Sequence, residues 1–227
     1  MAINIETLRT RALTAVVFVA VMLTGLLLNK WSFILLFTIV HFGCWYEFIK
    51  LMKLIYGSKY LKYCLLGILY ISMPIGMLIA LRLNDIFYAP HLLKADMGYI
   101  LPCTIIFSIW INDTMAYLVG SIIGKTPFSK ISPKKTWEGT GGGAVLCILI
   151  IGLAAYFIIG DYKQAAIIAS ICAVFGTMGD LLESKLKRMA NVKDSGSIMP
   201  GHGGFLDRFD SLLVAVPFVW LYVTYIV

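Results

Sequence analysis

The chain has 227 residues, of which 60% are hydrophobic and 14% are charged, and its mean hydropathy is +0.87. A soluble protein of this size would expose too much apolar surface to water, so the composition excludes an ordinary soluble domain and indicates a polytopic membrane protein. The net charge of +7 does not indicate a nucleic-acid partner, because membrane proteins collect Lys and Arg on their cytoplasmic side. We expect a lipid bilayer as the partner and no nucleic acid.

Seven apolar segments are long enough to cross a bilayer, which takes about 20 residues. The predicted spans are 12–29, 31–52, 61–82, 98–122, 140–160, 164–182 and 209–227. The first follows Arg9 and Arg11 as a signal peptide would, but it is long for one and lacks a clear cleavage site, so we interpret it as an uncleaved span. The predicted fold class is an all-α polytopic integral membrane protein with about seven transmembrane helices.

The distribution of charge predicts the orientation of these helices. Most of the 19 Lys and Arg residues fall in one set of alternate loops, which predicts an N-terminus inside and a C-terminus outside. Most of the acidic residues of the C-terminal half fall on the same side, in or near the last two cytoplasmic loops: Asp113, Glu138, Asp180, Glu183, Asp194, Asp207 and Asp210. We therefore expect one polar cluster that faces the cytoplasm.

The stretch WINDTMAYLVGSIIGK, residues 110–125, places Asp113 in the middle of the fourth span. A charge there costs about 2.5–3.5 kcal/mol unless it is paired or hydrated. Tyr117 lies four residues on and shares the helix face of Asp113. Two interpretations stay open. Asn112 and Asp113 could be a polar pair in the packing between helices, or Asp113 could be an acid that lines a cavity.

The stretch SKISPKKTWEGTGGG, residues 129–143, combines lysines with glycines. Pro133 is typical of a helix start, with Ser132 as its N-cap. Lys134 and Lys135 would then lie near a helix N-terminus, where backbone N–H groups also favour anions. A cytoplasmic loop would explain the lysines alone. The glycines at 139 and 141–143 indicate a close approach of either a ligand or a packed helix.

The third stretch begins at GDLLESKLKR and carries acids on two helix ends. Asp180, Glu183 and Ser184 are three and four residues apart, so they share one helix face with Lys187 one turn further. Asp207 and Asp210 are again three apart, at the start of the last helix. Carboxylates that face each other from two adjacent helix ends form a site for a hard cation.

This inventory predicts phosphoryl-type chemistry. Mg²⁺ prefers oxygen ligands and is usually held by one or two carboxylates, waters and substrate phosphates. Such transfer needs positioning and charge neutralisation more than covalent chemistry. No GxxxxGK[ST] motif occurs, so the nucleotide site would be of another kind. The cations that would meet the phosphates are Lys187, Arg188, Lys193 and Arg208, beside a loop with Gly201, Gly203 and Gly204.

The segment SKLKRMANVKDSGSIMPGHGGFLDRFD, residues 184–210, resembles the signature of the phosphatidate cytidylyltransferase (CDP-diacylglycerol synthase) family. WINDTMAYLVGSIIGK and SPKKTWEG also resemble stretches of that family. The resemblance covers about residues 105–220, so we divide the single membrane domain into N-terminal transmembrane helices, 1–104, and a C-terminal catalytic region with cytoplasmic loops, 105–227. The N-terminal third matches only in kind.

The resemblance implies that CTP and phosphatidic acid give CDP-diacylglycerol and pyrophosphate with Mg²⁺, in a homodimer. Asp180 and Asp207 would be the main metal ligands, while Asp113 and Asp210 would orient the site or hold a second, monovalent cation. His202 would be a general base or, with slight preference, a structural hydrogen bonder. The expected phosphate-binding residues are Lys187, Arg188, Lys193 and Arg208, and the expected entrance residues are Ser132, Lys134, Lys135 and Thr136.

Other functions stay open at this point. One is a CTP-using lipid kinase that acts on a polyprenol or phytol-type alcohol, or an enzyme for an ether lipid phosphate. A small ion or proton transporter would explain Asp113, but no internal repeat is visible. An inactive interaction protein would not need the intact set of carboxylates. The expected location is a bacterial inner membrane, with the active site on the cytoplasmic side.

Overall fold

The computed structural model describes residues 5–83, 98–160, 162–198 and 203–226, and the described residues are helical apart from loops and one isolated β-bridge. The N-terminal half contains α1 (Ile5–Leu27), α2 (Lys30–Tyr56), the short α3 (Tyr60–Cys64), a π-helical turn (Ile68–Ser72) and α4 (Met73–Leu83). The C-terminal half contains α5 (Ile100–Ile123), α6 (Trp137–Ile159), α7 (Lys163–Met189) and α8 (Leu206–Tyr225).

Each of the seven predicted spans coincides with helical structure in the described residues. Four helical stretches are long and apolar enough to cross a membrane: Lys30–Cys64, Ile100–Ile123, Trp137–Ile158 and Lys163–Met189. Two shorter apolar helical stretches, Ala12–Leu27 and Ile68–Leu83, correspond to the first and third predictions. The all-α membrane-type fold is therefore confirmed, while the number of spans and their orientation stay predictions.

The helices pack around one large apolar core, to which α2, α4, α5 and α8 contribute most of the side chains. Helix α7 approaches α8 closely at Gly179, where a Cβ would lie 3.0 Å from the Cα of Ser211. All five cysteines are free thiols, and all except Cys64 are buried, as is typical of cysteines that act as small apolar packing residues. This packing fixes the two helix ends that carry the predicted acids.

The glycines at the start of α6 let this helix approach α5 at van der Waals distance. A Cβ on Gly143 would lie 2.6 Å from the backbone nitrogen of Ala116, and one on Gly139 would lie 2.7 Å from the Ala116 carbonyl oxygen. Gly141, in contrast, has nothing within 4 Å of an added Cβ. Helix packing therefore explains Gly139 and Gly143.

We expect Gly143→Ala to destabilise the protein and Gly141→Ala to leave its stability unchanged or raise it. The first substitution overpacks the α5–α6 contact, which costs about 1–3 kcal/mol, whereas the second meets open space and gains helix propensity. Thermal unfolding of the two purified variants in one detergent measures the difference. Equal melting temperatures for the two variants would contradict the packing role of Gly143.

The predicted helix start at Pro133 with Ser132 as N-cap is wrong. Helix α6 begins at Trp137, and its N-cap is Thr136, whose hydroxyl oxygen accepts a 3.1 Å hydrogen bond from the Gly139 N–H. The preceding segment forms a hairpin instead, closed by backbone hydrogen bonds from Phe128 to the Lys135 carbonyl and from Trp137 to the Thr126 carbonyl. These bonds hold residues 126–136 in a non-helical conformation that the local pattern does not reveal.

Candidate active site

A cavity of about 480 Å³ opens between α5, the hairpin, α6 and α7. Its lining residues come from the sequence stretches 110–125 and 129–143 and, through Asp180, from the start of the third stretch. Helix α5 and the hairpin supply most of its wall, and α7 supplies Thr177 and Asp180. The predicted site residues that line it are Asp113, Ser132, Lys134, Lys135, Thr136 and Asp180.

The structure distinguishes the roles of the two polar residues in the middle of α5. Asn112 is buried, with 3% of its surface exposed, whereas the side chain of Asp113 is exposed within the wall of the cavity. Tyr117 lies on the same face and also lines the cavity, as its spacing predicts. Asp113 is therefore an acid that lines a cavity, which favours the second of the two interpretations.

Lys135 and Asp180 form an ion pair across the cavity, between the hairpin and α7. Burial lowers the pKa of the Lys135 ammonium, while the carboxylates of Asp113 and Asp210 act in the opposite direction. An incoming polyanion would favour the charged form of Lys135 in the same way. The lysine is thus placed to exchange an internal carboxylate for a phosphate oxygen.

Three carboxylates from α7 and α8 form an acidic cluster next to this ion pair. One oxygen from each of Asp180, Glu183 and Asp210 lies within 4.8 Å of the other two. Glu183 is fully buried and Asp210 is 8% exposed. The predicted arrangement, in which acids from two adjacent helix ends face each other, is confirmed for these three residues. Ser184 donates a 3.3 Å hydrogen bond to Asp180, as their shared helix face predicts.

Asp207 lies beside this cluster, where donors occupy both of its oxygens. Lys187 binds Oδ1 at 2.6 Å and also pairs with Glu183. Oδ2 accepts hydrogen bonds from the Ser195 N–H at 2.9 Å, the Ser195 hydroxyl at 2.8 Å and the Gly204 N–H at 2.8 Å. The structure therefore groups Asp180 with Glu183 and Asp210, and the pairing of Asp180 with Asp207 as metal ligands stays a prediction.

The remaining predicted cations lie outside the cavity wall in the described part of the chain. Arg188 is exposed and donates a 3.3 Å hydrogen bond to the Val192 carbonyl, and Lys193 is also exposed. Arg208 borders a separate crevice next to Phe209. Their roles toward phosphate stay predictions, and His202 lies outside the described residues.

Glu47, a carboxylate of α2 that is 1% exposed, is not among the site residues predicted from the sequence. Its oxygens accept hydrogen bonds from the Phe205 N–H at 2.9 Å, the Leu206 N–H at 2.8 Å and the Ser195 hydroxyl at 2.7 Å. One signal was present, because Glu47 is an acidic residue inside a predicted apolar span, where an ionisable group is costly and usually functional. Its partners, however, lie about 150 residues further along the chain.

The arrangement suits a divalent cation and a polyphosphate. The acidic cluster offers only carboxylate oxygens, which are the donors that Mg²⁺ prefers, and its three side chains come from the C-terminal part of α7 and the start of α8. Lys134 and Lys135 face the adjoining cavity with two hydroxyl residues, Ser132 and Thr136. The donor set therefore fits a hard metal ion next to bound phosphate groups.

Comparison with known proteins agrees with this chemistry. The model of the cytidylyltransferase family matches residues 57–226. Among curated relatives, the phosphatidate cytidylyltransferase of Bacillus subtilis (strain 168) is 48% identical over 116 residues, which is 49% of this chain and 43% of the relative. That of Staphylococcus haemolyticus (strain JCSC1435) is 38% identical over 160 residues, covering 68% of this chain and 56% of the relative.

A longer alignment reaches into the N-terminal part. The phosphatidate cytidylyltransferase of Staphylococcus aureus (strain COL) is 36% identical over 197 residues, covering 78% of this chain and 70% of the relative. The alignments to the first two relatives cover about half of those proteins. The family match extends over most of the chain and includes the cavity, the acidic cluster and the segment before α8. The chain therefore belongs to the cytidylyltransferase family.

Proposed function

We propose that this chain is a CTP:phosphatidate cytidylyltransferase, which makes CDP-diacylglycerol and pyrophosphate in phospholipid synthesis. One observation carries the proposal. Lys134 and Lys135 share a cavity with Asp113 and with Asp180, and Asp180 also belongs to the acidic cluster. Cations for a triphosphate and carboxylates for a metal are then adjacent, on helices of a membrane-type fold. The names of the relatives support the same substrates.

The proposed reaction is a substitution at the α-phosphorus of CTP. An oxygen of the lipid phosphate forms a bond to this phosphorus, and the bond from the phosphorus to the oxygen that bridges to the β-phosphate breaks. Pyrophosphate leaves with the electron pair of that bond. The attacking phosphate is already an anion, so the step needs positioning and charge neutralisation more than a strong base.

Residues of the cavity would bind and orient the triphosphate. Lys134 and Lys135 would contact its oxygens, with hydroxyl donors from Ser132 and Thr136. Asp180 pairs with Lys135 before the substrate enters, so it holds the ammonium group at the cavity wall. Lys187 would balance the charge of Glu183 in the acidic cluster and of Asp207 beside it.

The acidic cluster of Asp180, Glu183 and Asp210 would hold Mg²⁺. When bound, Mg²⁺ supplies positive charge that stabilises the departing pyrophosphate. A cytoplasm-facing site in the bacterial inner membrane, a homodimer and a second, monovalent cation belong to the same proposal. The distribution of Lys and Arg among the loops supports the cytoplasmic orientation of the site. The same orientation would give the site access to CTP, which is a cytosolic nucleotide.

Pyrophosphate release by the purified chain tests the proposed acceptor. With CTP and Mg²⁺, we expect release in detergent micelles that contain phosphatidic acid and none in micelles that contain diacylglycerol. The diacylglycerol micelles are the matched control, because this lipid lacks only the phosphate that attacks. Release of CDP with a polyprenol or another lipid alcohol, and no pyrophosphate with phosphatidic acid, would instead identify a lipid kinase.

A further inference from the structure

Helix α8 begins without an N-cap side chain of its own. Phe205 occupies the cap position and makes no side-chain cap hydrogen bond. The free N–H groups of a helix start need acceptors, and here a carboxylate of another helix supplies them. Glu47 of α2 accepts from the Phe205 N–H through Oε1 and from the Leu206 N–H through Oε2. A buried acid from the N-terminal half thus fixes the start of the helix that carries Asp207 and Asp210.

Ser195 connects Glu47 to Asp207. Its hydroxyl lies 2.7 Å from Oε2 of Glu47 and 2.8 Å from Oδ2 of Asp207, and the residue is 3% exposed. The Ser195 N–H also donates to Asp207 at 2.9 Å. The hydroxyl group has one hydrogen and can donate it to only one of the two carboxylates at a time, so the two acids share this donor and the position of each depends on the other.

Two glycines near Ser195 and the start of α8, Gly196 and Gly204, leave space for the Glu47 carboxylate. A Cβ on Gly196 or on Gly204 would collide with the carboxylate oxygens of Glu47. Gly204 also donates its N–H to Asp207 at 2.8 Å. Residues 195, 196 and 204–206 are therefore folded around the Glu47 carboxylate and hold Asp207 at the same time. Glu47 itself lies outside residues 57–226, which the family model matches.

We propose that Glu47 is a positioning residue for Asp207, acting through Ser195 and the first turn of α8. This inference rests on the proposed function, because that function places the reacting site at the acidic cluster, beside which Asp207 lies. Glu47 occupies the N–H groups of Phe205 and Leu206 at the start of α8, so these two groups are not available to a phosphate. The N-terminal helices thereby contribute a carboxylate to the geometry of the site, and the C-terminal region alone would lack it.

The test uses the full chain, with CMP transfer to phosphatidic acid as the activity. We expect Glu47→Gln to lower kcat by about 10–100-fold, as loss of a residue that orients a site does, with KM values for CTP and phosphatidic acid within about twofold of the wild type. Ser195→Ala should also lower kcat, since it removes the hydroxyl group that connects Glu47 to Asp207 and leaves Glu47 bound to the start of α8. Ser72→Ala is the control, because it removes the acceptor of a 2.9 Å hydrogen bond from the Trp45 indole N–H of α2, together with a 2.9 Å hydrogen bond to His41, and none of these residues bonds to Glu47, Ser195 or Asp207.

Hydrogen exchange provides a readout that does not require activity. The amides of Phe205 and Leu206 should exchange faster in Glu47→Gln than in the wild type and Ser72→Ala. Wild-type kcat in Glu47→Gln, with unchanged exchange of these amides, would overturn the inference. If Glu47→Gln does not fold, Ser195→Ala decides, and wild-type kcat in that variant would overturn the inference. If the wild type makes no CMP-lipid, the proposed function fails, while the exchange rates still test whether Glu47 holds the start of α8.

Discussion

Asp180→Asn is expected to lower the rate of CMP-lipid formation by at least about 100-fold, the scale on which loss of one electrostatic group at a reacting centre acts. Asp180 has two roles in the structure, because it pairs with Lys135 in the cavity and belongs to the acidic cluster with Glu183 and Asp210. Asparagine keeps the shape of the side chain but removes its charge. The change would weaken metal binding and leave Lys135 without its counterion.

Activity and Mg²⁺ dependence of the purified variant measure this effect. Asp161→Asn is a charge-matched control, since it removes a carboxylate two residues before α7 begins. We expect the control to retain wild-type kcat and Asp180→Asn to need more Mg²⁺ for its residual rate. Wild-type activity in Asp180→Asn, at equal amounts of folded protein, would exclude the acidic cluster as the metal site.

Lys187→Met is expected to reduce the free energy of unfolding by about 3–5 kcal/mol, the cost of removing one partner from a buried ion pair. The Lys187 ammonium binds both Glu183 and Asp207, and the exposed fractions of these two side chains are 0% and 9%. Methionine has a similar length but no charge, so two buried carboxylates would lose their shared counterion. Reversible unfolding in mixed detergent micelles measures the loss.

A second substitution separates charge from packing. If uncompensated charge causes the loss, Glu183→Gln should restore part of the stability in the Lys187→Met background, because it removes one of the two orphaned carboxylates. In the wild-type background the same substitution should not stabilise the protein. Additive destabilisation by the two changes would contradict the ion-pair explanation.

The sequence predicted the parts of the site that depend on local periodicity. Asp180, Glu183 and Lys187 lie on one helix face because their spacing follows the helical repeat. In the structure Glu183 pairs with Lys187, and the carboxylates of Asp180 and Glu183 lie close to that of Asp210. The seven apolar segments likewise become helices because segment length and composition are local properties.

The errors and omissions arose where distant residues determine the conformation. Pro133 was expected to start a helix, but hydrogen bonds between the two arms of the hairpin place the start at Trp137. Glu47 was missed because its partners are in the segment before α8 and at the start of that helix. Neither contact leaves a pattern within a short sequence window.

The fate of the α-phosphate of CTP tests the central claim most directly. Purified protein would be incubated with phosphatidic acid, Mg²⁺ and CTP that carries a radioactive label either on the α- or on the γ-phosphate. We predict that the α-label enters the lipid and that the γ-label leaves as pyrophosphate, in equal amounts. Transfer of the γ-label to a lipid, with the α-label released as CDP, would contradict the assignment and identify a kinase reaction instead.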